Sequence, residues 1–536
     1  MGPPLRQMTA GAVAGGVLLM SLYKECYRGH LAELLVALGL AQFVVWGVWS
    51  TFVYPHFVSP LRHLPQPEGA HWLLGHGRQI IGKLLGGPVR QWVKDTPHDG
   101  LIRYLFLFNR ERLVVVSPKA LAEVLVTKNY VFEKPDALRG VLGRQLGNGI
   151  LLAEGDEHKA QRRNLLPAFQ YRHIKDLYPT FWAKASSAVR AMTAACGDGP
   201  AVLEVNSWAS RCTLDIIGAA GMGVDFGAIE NDNNELAQTY TELSRPSRQG
   251  KALMVLGIML PGWLLNHLPL KHNREIEEKA ERIRAVCRRL IRDKKQRLAA
   301  KEAEQELDIL TVALGSGLFG DEQLVDQLMT FLAAGHDTTA SALTWALYQL
   351  SRFPEMQRRL RDEVRSRLPP PPPPPTDADG DKARPGVSST EVDGMPPVSV
   401  TMREAVHDTT IQGQVVRRGT RIILAPWATN VDPALWGEDA GEFRPERWLS
   451  SEASSCGGGA SSNYAFLTFL HGPRSCIGAG FARAELACIL AAWVGRFEFE
   501  LADAGLMDER KLRFKMAVTT RPADGMHLRT RVVPGW

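Results

Sequence analysis

The sequence predicts a mainly helical protein with small β-sheets (α+β), carried behind an N-terminal membrane anchor. Three observations predict it. An uncharged apolar run of 21 residues stands near the N-terminus, helical periodicity dominates the body, and only short strand-like runs interrupt it. The 536 residues are 45% hydrophobic and 22% charged, which fits a folded globular chain. That composition excludes a wholly disordered chain, a collagen or a multi-pass transporter. Lys and Arg total 63 against 57 Asp and Glu, a net charge of +6 that does not point to nucleic acid. The seven Cys, at 26, 196, 212, 287, 456, 476 and 488, are too few for a disulfide scaffold. None forms a CxxC pair, so a zinc module is not expected.

The anchor comes first. Leu34 to Tyr54 carries no charge over a length that spans a bilayer core, and Trp46, Trp49 and Tyr54 sit toward its end as interface residues would. The bland alternative is a buried core helix. Thr9 to Tyr23 is a shorter, Gly-rich apolar stretch, so one span or two both fit. Pro55, Pro60, Pro65 and Pro67 then make a stiff connector. Arg62 and His63 favour the cytosolic side for the body of the chain. Ala252 to Leu270 is the nearest later rival, and two prolines with Asn266 and His267 break it. The expected division is therefore an anchor over 1–59 and one large domain over 60–536.

In the body, Leu101 to Ser117 reads as two strands around a polar turn, and Lys119 to Val126 as a short helix. Residues 155–300 hold amphipathic helices, including a charged one from Arg274 to Ala303. Asp321 to Arg352 is the longest apolar helix, with Leu324, Leu328, Phe331 and Leu332 at helical spacing. Its middle, Ala334 to Thr339, reads AGHDTT. A Gly, an Asp and two Thr are locally unfavourable in a buried helix, and such violations mark working sites. Leu368 to Gly386 is a Pro-rich loop, with proline at every position from 369 to 375. Ser450 to Ser462 is a second flexible loop, and its Cys456 an incidental thiol.

Cys476 lies between a Gly- and Pro-containing loop and an apolar helix. Gly472 and Gly478 bracket it, which lets the backbone turn tightly and approach a flat ligand. A thiolate there gains from the helix N-terminus, and an axial ligand to haem iron needs such a thiolate. The commoner fate of a lone Cys is a buried structural role. Here FLHGPRSCIG decides. It resembles the cytochrome P450 signature FxxGxRxCxG at every fixed position: Phe469, Gly472, Arg474, Cys476 and Gly478.

The resemblance runs from about residue 60 to the C-terminus, with an anchor like those of microsomal members. It implies the cytochrome P450 fold, haem, and Cys476 as the iron ligand. AGHDTT matches the family's oxygen-activation motif, which implies that Asp337 and Thr338 deliver protons during dioxygen cleavage. Gly155 to Phe169 resembles the helix that contacts a haem propionate through His158 and Arg162, four apart on one face. Arg403, in Met402-Arg403-Glu404, and Arg474 are implied as further propionate contacts, since a guanidinium fork suits a carboxylate. Phe443 to Trp448 matches the PERF-like segment. Val518-Thr519-Thr520 resembles the C-terminal hairpin of the substrate cavity, with Phe331, Ala334, Val398 and Val400 as further apolar candidates.

One family landmark is absent. An ExxR helix is expected before the PERF-like segment, its Glu and Arg forming a buried network with Arg447. Here Met395 and Pro397 stand where about 16 residues, some four turns, would separate the flanks. Glu355-Met356-Gln357-Arg358 fits the pattern by letters, yet opens the preceding helix. Arg447 is thus expected to lose its carboxylate, at a cost of about 3–5 kcal/mol if buried. The absence has two readings: an omitted stretch of an intact protein, or a real deletion.

The resemblance implies a monooxygenase placing one atom of dioxygen into a hydrophobic small molecule, in the manner of fungal members of secondary metabolism. Its implied partners are an NADPH-dependent flavoprotein reductase and the endoplasmic reticulum membrane, with the domain facing the cytosol. Two rivals stay open. An isomerase or dehydratase of the same fold usually lacks the acid–alcohol pair, and an inactive haem-binding chain would draw support from the missing ExxR.

Overall fold

The computed structural model describes residues 11, 15, 31–81, 86–243, 249, 270–300, 308–368, 370, 395–449, 458–516 and 519–536. Nearly all of the first apolar stretch (9–23), the run 252–269, most of the Pro-rich loop, Ser450 to Cys456 and Val518 lie outside them. The chain divides into two units. One comprises Met1–Gly82, Pro88–Glu133 and Met402–Leu424; the other comprises Lys83–Gly87, Lys134–Thr401 and Ala425–Trp536. The strands are β1 (Leu101–Leu105), β2 (Glu111–Val115), β3 (Phe132–Glu133), β4 (Ala201–Glu204), β5 (Thr401–Ala405) and β6 (Thr409–Ile411). They continue as β7 (Gln414–Val416), β8 (Arg421–Leu424), β9 (Phe497–Leu501), β10 (Phe514–Met516), β11 (Thr520–Pro522) and β12 (His527–Val532).

The first unit opens with α1 (Leu31–Val48), which continues as π-helix to Val58. Leu35–Val58 is, among the described residues, the one helix long and apolar enough to cross a membrane. Only 6% of its most apolar window is buried, so it is not a core helix of this unit. Its end is pinned to the sheet. Asn109 Nδ2 donates to Thr51 O at 3.0 Å, and Arg103 Nη2 donates to Pro55 O at 2.5 Å. Arg103 is buried and also pairs with Glu111 at 2.7 Å. The sheet has the order β1-β2-β8-β5-β3, antiparallel at β1/β2 and β3/β5 and parallel at β2/β8. The two strands expected in 101–117 are therefore present, joined by a turn with Phe108 and Asn109 at positive φ.

The second unit is helical. Its main elements are α2 (Gly155–Leu165), α3 (Tyr171–Cys196), α4 (Val205–Ile216), α5 (Lys271–Ala299), α6 (Asp321–Arg352), α7 (Pro354–Arg367) and α8 (Ala479–Arg496). The 32-residue α6 is the centre, packed against α4, α5 and α8. Asp321 and Glu322 in its first turn and Arg352 in its last complement the helix dipole. From Leu324 to Ser351 most of its residues are buried, including Trp345 and Tyr348. α8 packs along α3, where the Phe181 and Phe481 rings meet edge-on at 4.9 Å. Full burial of such a side chain contributes about 1.5–3 kcal/mol. A three-stranded antiparallel sheet, β4-β12-β9, and the β10-β11 hairpin complete the unit.

The region of the missing helix is built differently from expectation. Glu355 and Arg358 pair with each other on the exposed first turn of α7, so they make no buried network. Arg447 is not orphaned. Its guanidinium lies 3.5 Å from the Asp439 carboxylate and donates to the Asp439 carbonyl at 3.1 Å. It also lies over the Trp436 ring, and neighbouring Glu446 pairs with Arg359 of α7 at 2.5 Å. The expected cost of an unpaired buried charge is thus avoided by a local acid.

Candidate active site

The Cys476 loop is a tight hairpin of backbone. A 3₁₀ turn, Gly472–Arg474, precedes it, and the Cys476 amide donates to Phe469 O at 2.8 Å. Gly472 sits at φ +73°, where a side chain would be strained, and Leu470 adopts φ +54° despite its side chain. Two residues after Cys476, Gly478 opens the way to α8. Cys476 is reachable from solvent, yet protein surrounds it closely enough that burial pushes its thiol up. A hydrogen bond from the Gly478 amide opposes that shift, as do Arg162 and Arg483. An accessible sulfur with an amide donor and two cations nearby suits an anionic sulfur ligand.

α2 grips this loop. Arg162 donates to Ser475 O at 2.7 Å and to Ser475 Oγ at 3.2 Å. His158 is buried one turn earlier on the same helix. Arg474 is buried as well, and it forms an ion pair with buried Glu154, the residue that precedes α2. Glu154 Oε1 also accepts from the Lys134 amide at 3.0 Å. Phe469 lies under the Arg483 guanidinium, 4.8 Å from it. Arg403 belongs to the other unit, on β5, fully buried and donating to Met402 O at 2.8 Å. Burial alone lowers that guanidinium to about 10.

Phe169 links the Cys476 loop to α6 one turn before AGHDTT. Phe169 stands 3.8 Å from the Cβ position of Gly478 and packs edge-on to Phe331 of α6 at 5.7 Å. Phe331 is one turn before Ala334, which is exposed within an otherwise buried helix. Hydroxyls take three successive carbonyls there: Thr338 bonds Ala334 O at 2.7 Å, Thr339 bonds Gly335 O at 3.3 Å, and Thr213 of α4 bonds His336 O at 2.9 Å. A Cβ at Gly335 would lie 2.9 Å from Ile217, so that side chain would have to shift.

Asp337 is buried and held by the C-terminal hairpin. Its Oδ2 accepts from Thr519 Oγ1 at 2.6 Å, and its carboxylate pairs with Arg521. Burial, opposed by Glu204, lowers Arg521 to about 10. The hairpin is itself fastened to α6, since Ser341 Oγ and Trp345 Nε1 both donate to Thr520 O. His336 is buried against the Tyr240 ring, and burial lowers it to about 4, so it is neutral at pH 7. Glu485 of α8 is fully buried, and burial pushes its carboxyl well above the usual range against the Thr339 hydroxyl. The sequence names Cys476, Asp337, Thr338 and Thr519 as candidates but gives no sign of Glu154 or Arg521, whose partners are distant in sequence.

A solvent-reachable thiol, a run of polar residues in the central helix and flanking arginines form a donor set that fits haem. The comparisons agree. The cytochrome P450 family model matches residues 65–380 and 395–527.

The chain belongs to the cytochrome P450 family.

The two matched segments of this cytochrome P450 part around residues 381–394, beside the missing helix. It is 44% identical over 551 positions to cytochrome P450 monooxygenase sphH of Aspergillus fumigatus, covering 98% of both chains. It is 42% identical to cytochrome P450 monooxygenase ALT8 of Alternaria alternata, covering 92% of this chain and 93% of that one. It is 43% identical to cytochrome P450 monooxygenase FUM15 of Gibberella moniliformis, covering 97% and 95%. The 551 aligned positions exceed the 536 residues here, so the Aspergillus relative carries residues this cytochrome P450 lacks. The chain is a haem-thiolate monooxygenase of the fungal type, with the cytochrome P450 fold and one apolar N-terminal helix compatible with a membrane anchor.

Proposed function

We propose that the second unit inserts one oxygen atom of dioxygen into a hydrophobic organic molecule, with Cys476 as the iron ligand. Electrons come from an NADPH-dependent flavoprotein reductase. The chain is tethered at 1–59 to the endoplasmic reticulum membrane, and the domain 60–536 faces the cytosol. Haem held by an anionic sulfur supplies dioxygen binding and a bias toward O–O cleavage. Cys476 holds the sulfur, and the Gly478 amide, Arg162 and Arg483 stabilise its charge. Within this unit, His158, Arg162 and Arg474 hold the propionates, and Phe469, Gly472 and Gly478 shape the loop. Asp337 holds a carboxylate able to take up and pass on a proton, and Thr338 positions a hydroxyl one residue on. Ala334 and Phe331 offer apolar surface for a hydrophobic substrate. The observation that carries this reading is Phe169, which touches the Cys476 loop at Gly478 and packs on Phe331, one turn before AGHDTT.

Labelled dioxygen tests it. With the reductase and NADPH, product from a hydrophobic substrate should carry one labelled atom. Turnover without NADPH or reductase would favour the isomerase or dehydratase chemistry, which Asp337 and Thr338 disfavour. The missing ExxR helix supports a second reading, a non-catalytic chain. Failure of the full chain to take up haem would establish it.

A further inference from the structure

Arg474 already has a carboxylate. Its guanidinium is buried beside the Cys476 loop, and Glu154 pairs with it at the entrance to α2. Both side chains are more than nine-tenths buried, so water does not screen the pair. Glu154 is held in place independently, because its Oε1 accepts the Lys134 amide. It does not cap α2 through its side chain, so helix capping does not explain an acid here. A haem propionate is the same chemical group, a carboxylate seeking the same guanidinium.

We propose that Glu154 is a resident counter-ion of Arg474 that limits how tightly the site holds haem. This rests on the reading of Cys476 and Arg474 as a haem site. With Glu154 ionised, the pair is close to neutral and draws a second carboxylate weakly. Without that charge, Arg474 attracts the propionate at full strength. The cost of the acid is looser haem. Its benefit falls to the chain before haem arrives, when a buried Arg474 with no counter-ion would oppose folding.

Glu154→Gln keeps the Lys134 bond and removes the charge. The haem-loaded full-length protein is mixed with excess haem-scavenging globin, and haem loss is followed in the Soret region. Haem should leave Glu154→Gln about tenfold more slowly than wild type. Glu154→Met, which also lacks the charge, should shift the same way and serves if the first variant folds poorly. In an Arg474→Gln background, Glu154→Gln should change nothing. Unchanged or faster loss from both Glu154 variants overturns the proposal, as does an equal effect without Arg474. A thiolate-type spectrum that survives Cys476→Ala would instead overturn the site reading itself.

Discussion

Two regions of the second unit lean on family landmarks, and they differ in how they are held. Around α6 and the Cys476 loop, each chemical group is fixed by partners from several elements. Asp337 is tied to the C-terminal hairpin, Arg162 to Ser475, and the His336 carbonyl to Thr213. Around 395–448 the helix that should supply ExxR is missing, and Arg447 is satisfied by Asp439 eight residues away. The first region is over-determined by long-range contacts; the second is repaired locally. Damage is therefore expected to cost function or stability heavily in the first and little in the second.

The largest effect expected is at Asp337. Asp337→Asn keeps the shape and removes the titratable carboxylate. Product per NADPH should fall about 100-fold, with electrons diverted to hydrogen peroxide. Equal coupling in mutant and wild type would contradict the assigned role.

His336 gives the next effect, visible only on the acid side. Its folded value of about 4 lies below the ordinary 6.5. The unfolded chain thus binds an extra proton between those values, and stability is lost as pH falls from 6.5 toward 4. The full loss is roughly 3 kcal/mol. Denaturant titrations of His336→Gln should show a shallower loss over this window than wild type. Parallel curves would show that burial of His336 is not what sets the slope.

The smallest effect is expected at Arg447. Its partner Asp439 is partly open to solvent, 30% exposed. Arg447→Met should therefore cost only about 1 kcal/mol or less in unfolding experiments. A loss of about 3–5 kcal/mol would mean that Arg447 sits in a buried network after all.

The sequence made the first region legible and left the second half hidden. Cys476, its glycines and AGHDTT are short local patterns whose residue types already state the chemistry. The strands in 101–117 and the long α6 followed from periodicity. The pairing of Glu154 with Arg474 spans 320 positions, and that of Asp337 with Arg521 spans 184, so only tertiary packing selects them. The absence of ExxR was readable, but its consequence was not. An acid in an unremarkable turn, Asp439, takes the place of the expected Glu, and no motif marks it.

The most direct test of the central claim is a carbon monoxide difference spectrum of the reduced full-length chain beside its Cys476→Ala variant. The account predicts a thiolate-type Soret band in the first and none in the second. A band that persists in Cys476→Ala, or a folded wild-type chain that binds no haem, would contradict it.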